Sequence, residues 1–335
     1  MNEPTKKKPL QILVTGAGGF AGAAITKELR RVGLEVYDLV GRDHCDLTDA
    51  QATSECFGEL VQGLDEHDLT LDMVVHAAGR VRGIKGNKNE NWEQLRENQA
   101  MGENVLHQMQ LHNVSKGIFL GSSCQYPADA KQPYETSQLG TGPFEDTNWG
   151  YAAAKEHVRK LAVQLGYMFL IPPNLCGPGD NYDPENSHVF AAMIKKVCDA
   201  GLDGCVEHWG NPETSREFLS VTTLAKTVAQ IIINAQESTG ACVARGQGIT
   251  LNVGHGTGAV YTLGDLWKMI TEIAEKNPYA RWNGNLVGAT EKCMASNVTK
   301  VNGHAVVGMR PDLRVTIRKA LRDYRKRFPE HLDGK

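Results

Sequence analysis

The sequence has little of what marks membrane proteins and nucleic-acid-binding proteins. In its 335 residues no apolar stretch approaches the ~20 residues that a membrane-spanning helix needs. The formal charge of −3 gives no electrostatic reason to expect a nucleic acid or an anionic membrane as a partner. We therefore expect neither partner. The charged, proline-bearing start has no apolar core of a signal peptide, which favours the cytoplasm.

The eight cysteines also lack a pattern. None is spaced as C-x-x-C, which argues against a zinc site and favours reduced thiols. No repeat or low-complexity linker interrupts the chain. With 41% hydrophobic and 22% charged residues, the chain is long and apolar enough to bury one large α/β core and a smaller lobe.

The first half does contain a regular alternation of strand-like and helix-like segments. Short apolar runs begin near Ile12, Glu35, Asp72 and Gly117, and a run of helix formers follows each of them. This alternation predicts the α/β class, with a Rossmann-type, doubly wound parallel sheet.

The pattern changes after residue 175, where a polar loop rich in proline and asparagine begins. We predict a smaller C-terminal α/β lobe there that holds the substrate. The nucleotide-binding domain is predicted to span residues 9–175 and about 219–257, and the lobe about 176–218 and 258–330. The two domains are therefore expected to interleave in sequence.

A glycine-rich turn joins the first predicted strand to the first predicted helix. Its sequence, GAGGFAG from Gly16, has G-x-x-G-x-x-G spacing. Gly16 permits a tight turn, Gly19 lets backbone amides approach a pyrophosphate, and Gly22 lets the helix pack closely on the strand. Phe20 and Ala21 lie at the start of the helix. Because strand, turn and helix follow in this order, the turn predicts a dinucleotide site rather than a plain loop.

The end of the second strand bears on the choice of nicotinamide cofactor. An acid at this position usually holds the ribose 2′-hydroxyl of NAD, whereas an arginine accepts the 2′-phosphate of NADP. Val40 occupies the position of the acid and Arg42 follows it, which favours NADP(H) over NAD(H). The alternative is that Arg42 is a solvated turn residue and that Asp38 or Asp43 serves NAD.

Two further segments are candidates for cofactor contacts. Asp46 and Leu47 lie where related folds contact the adenine ring. Ala77, Ala78 and Gly79, at the end of another predicted strand, are small enough to lie beneath the cofactor. Tight packing alone is the alternative explanation for these three.

A tyrosine and a lysine form the main candidate for catalysis. Tyr151 and Lys155 lie four residues apart on a predicted helix, so the ammonium is expected to lower the pKa of the phenol from about 10. The phenol then becomes a usable general acid or base. Ser122 and Cys124 follow another strand, and both would project from one face if that strand persisted. The alternative for Cys124 is a small buried apolar residue.

Together these residues resemble the extended short-chain dehydrogenase/reductase family, whose members act on nucleotide sugars. Residues 119–127, 177–189 and 209–218 resemble one branch in particular. That branch converts GDP-4-keto-6-deoxymannose by epimerisation at C3 and C5 and reduction by NADPH at C4. The resemblance covers about residues 10 to 325. It implies NADP(H) as cofactor, a nucleotide-sugar substrate and a homodimer.

The resemblance also implies catalytic roles. Cys124 would remove protons next to the 4-ketone, and His188 would return them from the opposite face. Tyr151 would stabilise the enolate and later protonate the C4 oxygen, assisted by Lys155 and Ser122.

Four residues are implied as substrate contacts. Lys196 and Arg216 fall where the family meets the substrate diphosphate, Trp209 would stack on the nucleobase, and Asn174 would contact the sugar nucleotide. The alternatives are a surface cation for Lys196 and a core aromatic for Trp209.

The sequence departs from the branch at several positions. Cys176 stands where a tyrosine is typical, and Glu291 lies in a segment that lacks the expected Pro-Arg before Lys292. These departures leave open a reductase or epimerase of another nucleotide-linked 4-keto sugar, such as a deoxyhexose or a heptose. A non-catalytic NADP(H)-binding Rossmann protein is a lesser alternative.

Overall fold

The computed structural model describes residues 8–83, 89–201, 204–237, 248–255, 259–284, 300–301, 304–305 and 312–331. Its strands and helices, in chain order, are β1 Gln11–Thr15, α1 Phe20–Arg31, β2 Glu35–Leu39, α2 Ala50–Asp65, β3 Met73–His76, α3 Asn91–Leu111, β4 Lys116–Leu120, α4 Trp149–Gln164, β5 Met168–Ile171, β6 Asn174–Cys176, α5 Val189–Asp199, β7 Cys205–Trp209, β8 Ser215–Ser220, α6 Val221–Glu237, β9 Ile249–Asn252, β10 Val260–Thr262, α7 Leu263–Ala274, β11 Tyr279–Asn283, β12 Lys300–Val301, β13 His304–Ala305 and α8 Leu313–Arg327.

Six strands form a parallel sheet in the order β2-β1-β3-β4-β5-β9. Every residue of β1, β3 and β5 is buried. Strands buried on both faces are typical of a parallel sheet with helices on each side. The predicted α/β class with a Rossmann-type parallel sheet is confirmed.

Helices cover both faces of this sheet. On one face, Ile25 of α1 and Val228 of α6 belong to one apolar core. On the other, Phe57 of α2, Val105 of α3 and Val158 of α4 belong to a second. None of the described helices combines the length and apolarity that crossing a bilayer requires.

A third core lies outside the large sheet. It joins α5, α7 and α8 through buried residues that include Ile194, Leu266 and Ile317. Two small sheets accompany it, β10-β8-β6 and β11-β7. These elements come from the part of the chain for which we predicted a substrate lobe. The domain boundaries themselves stay a prediction.

Candidate active site

The glycine turn between β1 and α1 is packed so closely that side chains would not fit at two of its glycines. Gly16 has a φ of +69°, and a Cβ built on it would lie 2.6 Å from the backbone of Ala78. A Cβ on Gly22 would lie 2.0 Å from the Gly16 carbonyl oxygen. Gly19 is the N-cap of α1 and has no side chain that could bind the first N–H groups of the helix. These N–H groups are therefore available at the glycine turn, an arrangement that fits the diphosphate of a dinucleotide.

Arg42 follows the end of β2 at Leu39. Its guanidinium forms an ion pair with Glu97 of α3, and more than half of the side chain is exposed. Asp38, an alternative partner for NAD, is bound at 3.0 Å by Arg30. Arg42 is therefore more than a solvated turn residue, and Asp38 already has a cationic partner.

Asp46 and Leu47 lie in the loop between β2 and α2. The Asp46 carboxylate accepts hydrogen bonds from Thr48 Oγ1 at 2.7 Å and from its backbone N–H at 2.9 Å. These bonds hold the pKa of Asp46 below its usual value. Leu47 is buried, and its carbonyl accepts a hydrogen bond from Asn104. Both residues are thus fixed within the protein, and their contact with adenine stays a prediction.

Ala77, Ala78 and Gly79 directly follow β3. A Cβ built on Gly79 would lie 3.1 Å from Asn98 Oδ1 and 3.4 Å from Lys155 Nζ. The small residues at this position therefore lie directly beside the predicted catalytic lysine. This position is compatible with both explanations of the three small residues: tight packing alone, or a place beneath the cofactor.

Tyr151 and Lys155 occupy one face of α4, as the spacing predicts. Lys155 Nζ donates to the Leu120 carbonyl at 3.0 Å and lies 5.8 Å from the centre of the Tyr151 ring. Burial lowers the pKa of Lys155 to about 8. Burial also raises the pKa of Tyr151, an effect that a hydrogen bond with Ser122 opposes. The expected lowering by Lys155 is therefore wrong for this structure, because desolvation of the phenolate dominates. Tyr151 keeps its proton at neutral pH.

Ser122 and Cys124 are not continuous with the strand before them. β4 ends at Leu120, and residues 123–125 form a 3₁₀ turn that Ser122 caps. Ser122 Oγ accepts from the Cys124 N–H at 3.3 Å, and Gln125 Oε1 accepts from the Ser122 N–H at 2.9 Å. The strand does not persist, because this reciprocal cap is available, so the condition for Ser122 and Cys124 to share a strand face is not met.

The 3₁₀ turn nevertheless brings Cys124 to the catalytic helix. Negative charge on Cys124 contributes to the raised pKa of Tyr151, which requires the two groups to be close. Asn148 Nδ2 donates to Cys124 Sγ at 3.3 Å. Ser122, Cys124, Tyr151 and Lys155 therefore meet at the carboxyl end of β4.

His188 is the N-cap of α5. Desolvation of the imidazole lowers the pKa of His188. The residue is nevertheless exposed to solvent. A Cβ built on Gly83, in the loop after β3, would lie 2.7 Å from the carbonyl oxygen of Ser187. The segment that carries His188 therefore rests on the loop that continues from Gly79. Within the described residues, no hydrogen bond or ion pair links His188 to the other four catalytic candidates.

Two predicted substrate residues lie along β6 and β8. Asn174 Nδ2 donates to the Glu217 carbonyl at 3.1 Å. Arg216 is buried, and its Nη1 donates to the Ser215 carbonyl at 2.7 Å. The parallel pairing of β6 with β8 places Asn174 opposite Phe218, two residues beyond Arg216.

The other two predicted substrate residues lie near β7. Lys196 Nζ donates to the Glu207 carbonyl at 2.6 Å, and burial lowers the pKa of Lys196. Lys196 is thus partly buried rather than a plain surface cation. Trp209 is 48% exposed, so it is not a core aromatic.

Of the residues that depart from the family pattern, Cys176 is among the residues that the structure describes. Cys176 is fully buried in the third core, and its Sγ lies 3.6 Å from the Leu219 carbonyl oxygen. Glu291 and Lys292 lie outside the described residues.

Sequence reasoning missed Asn148 and Glu97. Asn148 contacts the candidate base, and Glu97 binds the candidate 2′-phosphate ligand. A signal for Asn148 was present, because asparagine directly before a helix occupies the N-cap position. The sequence gives no such signal for Glu97, because its partner Arg42 is 55 residues away in the chain.

Known proteins are similar to this chain in sequence and in fold. The model of the NAD dependent epimerase/dehydratase family matches residues 12–254. GDP-L-fucose synthase of Escherichia coli (strain K12) is 32% identical over 271 residues, which cover 78% of this chain and 81% of that protein. GDP-L-colitose synthase of Yersinia pseudotuberculosis is 32% identical over 273 residues, with 79% and 82% covered.

A similar fold occurs in a crystal structure of a GDP-L-fucose synthetase from Naegleria fowleri bound to NADP. The TM-score is 0.80, and the match covers 98% of this chain and 97% of that one. At 20% sequence identity this likeness establishes the fold alone.

Proposed function

Because this chain belongs to the NAD dependent epimerase/dehydratase family, we propose that it is an NADPH-dependent epimerase and reductase of a GDP-linked 4-keto-6-deoxy sugar. The proposed reaction converts GDP-4-keto-6-deoxymannose to GDP-L-fucose. The observation that carries the proposal is the position of Cys124: its N–H donates to Ser122 Oγ, and its charge acts on the phenol of Tyr151. A reductase alone has no evident use for a thiol at this point. The relatedness to E. coli GDP-L-fucose synthase supports the same assignment.

NADP(H) is the proposed cofactor, and it supplies hydride to C4 of the sugar when bound. Gly16, Gly19 and Gly22 let the turn fold closely on its own backbone and on Ala78, and the N–H groups at the start of α1 would bind the diphosphate. Arg42 is proposed to take the 2′-phosphate in exchange for part of its ion pair with Glu97. The Naegleria protein, whose crystal structure holds NADP, supports this choice over NAD(H).

Cys124 is the proposed base of the epimerisation. Its thiolate takes the proton from the carbon next to the ketone, and the electron pair of the broken C–H bond moves to the ketone oxygen as an enolate. A thiolate at Cys124 opposes ionisation of Tyr151, so the phenol keeps its proton and donates a hydrogen bond to that oxygen. His188 then protonates the carbon from the other face, which inverts it.

Tyr151 is the proposed acid of the reduction. Its raised pKa keeps the proton in place until the C4 oxygen gains negative charge. Lys155 stabilises the phenolate that remains, and Ser122 orients the phenol through their hydrogen bond. One phenol thereby serves both steps.

The substrate is proposed to extend from this cluster towards β6, β7 and β8. Arg216 and Lys196 would bind the diphosphate, with the arginine as the bidentate partner. Trp209 would stack on the guanine, and Asn174 would bind the sugar side. Homodimer formation in the cytoplasm completes the proposal. Exposed apolar side chains on α3, on α4 and at the residue after α4 support a dimer: Trp92, Leu111, Leu161 and Leu165.

A second candidate is the reduction of another GDP-linked 4-keto sugar. The identity to GDP-L-colitose synthase equals that to GDP-L-fucose synthase, which favours this alternative over a non-catalytic protein. The cofactor and the phenol would keep their roles in that case.

The test is NADPH oxidation, followed by absorbance, with GDP-4-keto-6-deoxymannose, and NMR of the product. We expect a fucose-configured product. Tyr151→Phe is expected to slow oxidation by about 10²–10⁴-fold while NADPH affinity is unchanged. A product that is not epimerised would refute the roles of Cys124 and His188. No oxidation by an enzyme that binds NADPH would refute the substrate.

A further inference from the structure

The side chain of Asn148 lies against the thiol of Cys124. Nδ2 donates to Sγ at 3.3 Å, and the residue is only 8% exposed. The backbone is fixed on both sides, because the Asn148 N–H donates to the Glu145 carbonyl and the Asn148 carbonyl accepts from the Ala152 N–H. The amide is therefore held beside the sulfur by the first turn of α4.

Asn148 does not perform the local role that its position favours. It is the N-cap of α4, where asparagine usually accepts a hydrogen bond from a backbone N–H. Here the side chain makes no such cap. Its buried Oδ1 has no hydrogen-bond partner within the part of the chain that the structure describes. The contact with sulfur therefore takes the place of the cap.

This contact favours one protonation state of the sulfur. A thiolate only accepts hydrogen bonds, and bonds to a charged acceptor are stronger than bonds to a neutral one. The positive end of the α4 helix dipole acts in the same direction. Tyr151 is the titratable group coupled to Cys124, and Lys155 is bound to the Leu120 carbonyl instead.

We infer that Asn148 is a positioning residue that holds Cys124 as a thiolate for epimerisation. This role rests on the function proposed above. When the substrate proton moves from carbon to sulfur, the group beside Asn148 becomes a neutral thiol. An amide suits both states, because Nδ2 donates to the thiolate and Oδ1, after a half-turn, accepts from the thiol. A carboxylate would suit only the thiol.

The test is the pH dependence of alkylation of Cys124 by iodoacetamide, read by mass spectrometry on the whole protein after digestion. We expect the midpoint to rise by about one pH unit in Asn148→Ala, which is about tenfold less thiolate at neutral pH. In the isosteric Asn148→Asp variant, whose charge repels the thiolate, the rise is expected to be larger. Cys205, which is exposed on β7, is the internal control and should keep its midpoint in every variant.

An unchanged midpoint for Cys124 in the folded variants would overturn the inference. If the alanine variant fails to fold, Asn148→Ser retains a capping side chain without the amide, and the same rise is expected from it. The alkylation needs no substrate, so it is independent of the proposed reaction. If the midpoint shifts but the protein does not oxidise NADPH with the sugar, the absence of turnover refutes the proposed function, and the stabilisation of the thiolate by Asn148 still stands.

Discussion

The cofactor side and the substrate side of this molecule differ in how complete they are. At Gly16, Gly19 and Gly22 an added Cβ would meet backbone atoms, so the shape of the turn is fixed by the backbone there. On the substrate side, Arg216 and Lys196 bind carbonyl oxygens of the protein, and Trp209 is half exposed. If the proposed substrate roles hold, Lys196 would exchange a protein partner for phosphate. The comparison supports a preformed turn for the cofactor diphosphate, whereas the proposed substrate residues already have partners within the protein.

The largest effect is expected from Gly22→Ala in the preformed turn. The new Cβ would lie 2.0 Å from the Gly16 carbonyl oxygen, so the α1 backbone must shift. We expect a loss of about 3 kcal/mol in unfolding free energy and the loss of NADPH binding. Denaturant unfolding and fluorescence titration measure the two.

Gly58→Ala is the matched control for that variant. Gly58 also lies within a helix, α2, and a Cβ there meets nothing within 4 Å. We expect this variant to gain about 0.5–1 kcal/mol and to bind NADPH normally. Equal behaviour of the two variants would contradict a turn whose shape is fixed by the backbone.

Lys155 makes the catalytic cluster sensitive to pH. Its pKa is about 8 in the folded protein and near 10.5 when unfolded, so the unfolded chain binds more protons between these values. The unfolding free energy of the wild type should therefore rise by about 3 kcal/mol from pH 8 to 10.5, relative to Lys155→Met. Parallel stability curves for the two proteins would show that the ammonium is not desolvated.

Arg42→Ala tests the choice of cofactor. Loss of a charge-assisted contact to the 2′-phosphate is expected to raise the KM for NADPH by about 10–100-fold and to leave that for NADH little changed. Arg31→Ala removes a nearby arginine that pairs with Glu28, and it should not alter the preference. Equal losses with both cofactors would exclude a 2′-phosphate role for Arg42.

Trp209→Ala tests the substrate side. Of these predictions, it has the smallest expected effect on substrate affinity. Loss of stacking on a base, about 1 kcal/mol, should raise the KM for the nucleotide sugar by about fivefold. Stability should hardly change, because the side chain is 48% exposed. Tyr279→Ala, a still more exposed aromatic on neighbouring β11, is the control and should behave as the wild type.

Local sequence predicted the strands and helices of the first half because the signals for them are local. The glycine turn, the alternation of β1 to β4 with helices, and the i, i+4 spacing of Tyr151 and Lys155 each depend on neighbouring residues. The strands β8, β10 and β11 escaped prediction because they pair with segments far away in the chain.

Two details of the catalytic cluster also needed the structure. The strand stops before Ser122 because Gln125 completes a reciprocal cap, and this competes with strand continuation only in the folded context. The pKa of Tyr151 rises because the phenol is buried, and burial is set by tertiary packing rather than by spacing.

The proposed function requires the cluster around Tyr151 both to epimerise and to reduce the sugar. NMR of the product formed from GDP-4-keto-6-deoxymannose and NADPH in heavy water tests this most directly. The account predicts deuterium at C3 and C5, delivered by solvent-exchanged groups, and protium at C4, delivered by the cofactor. A reduced product with protium at both C3 and C5 would contradict it.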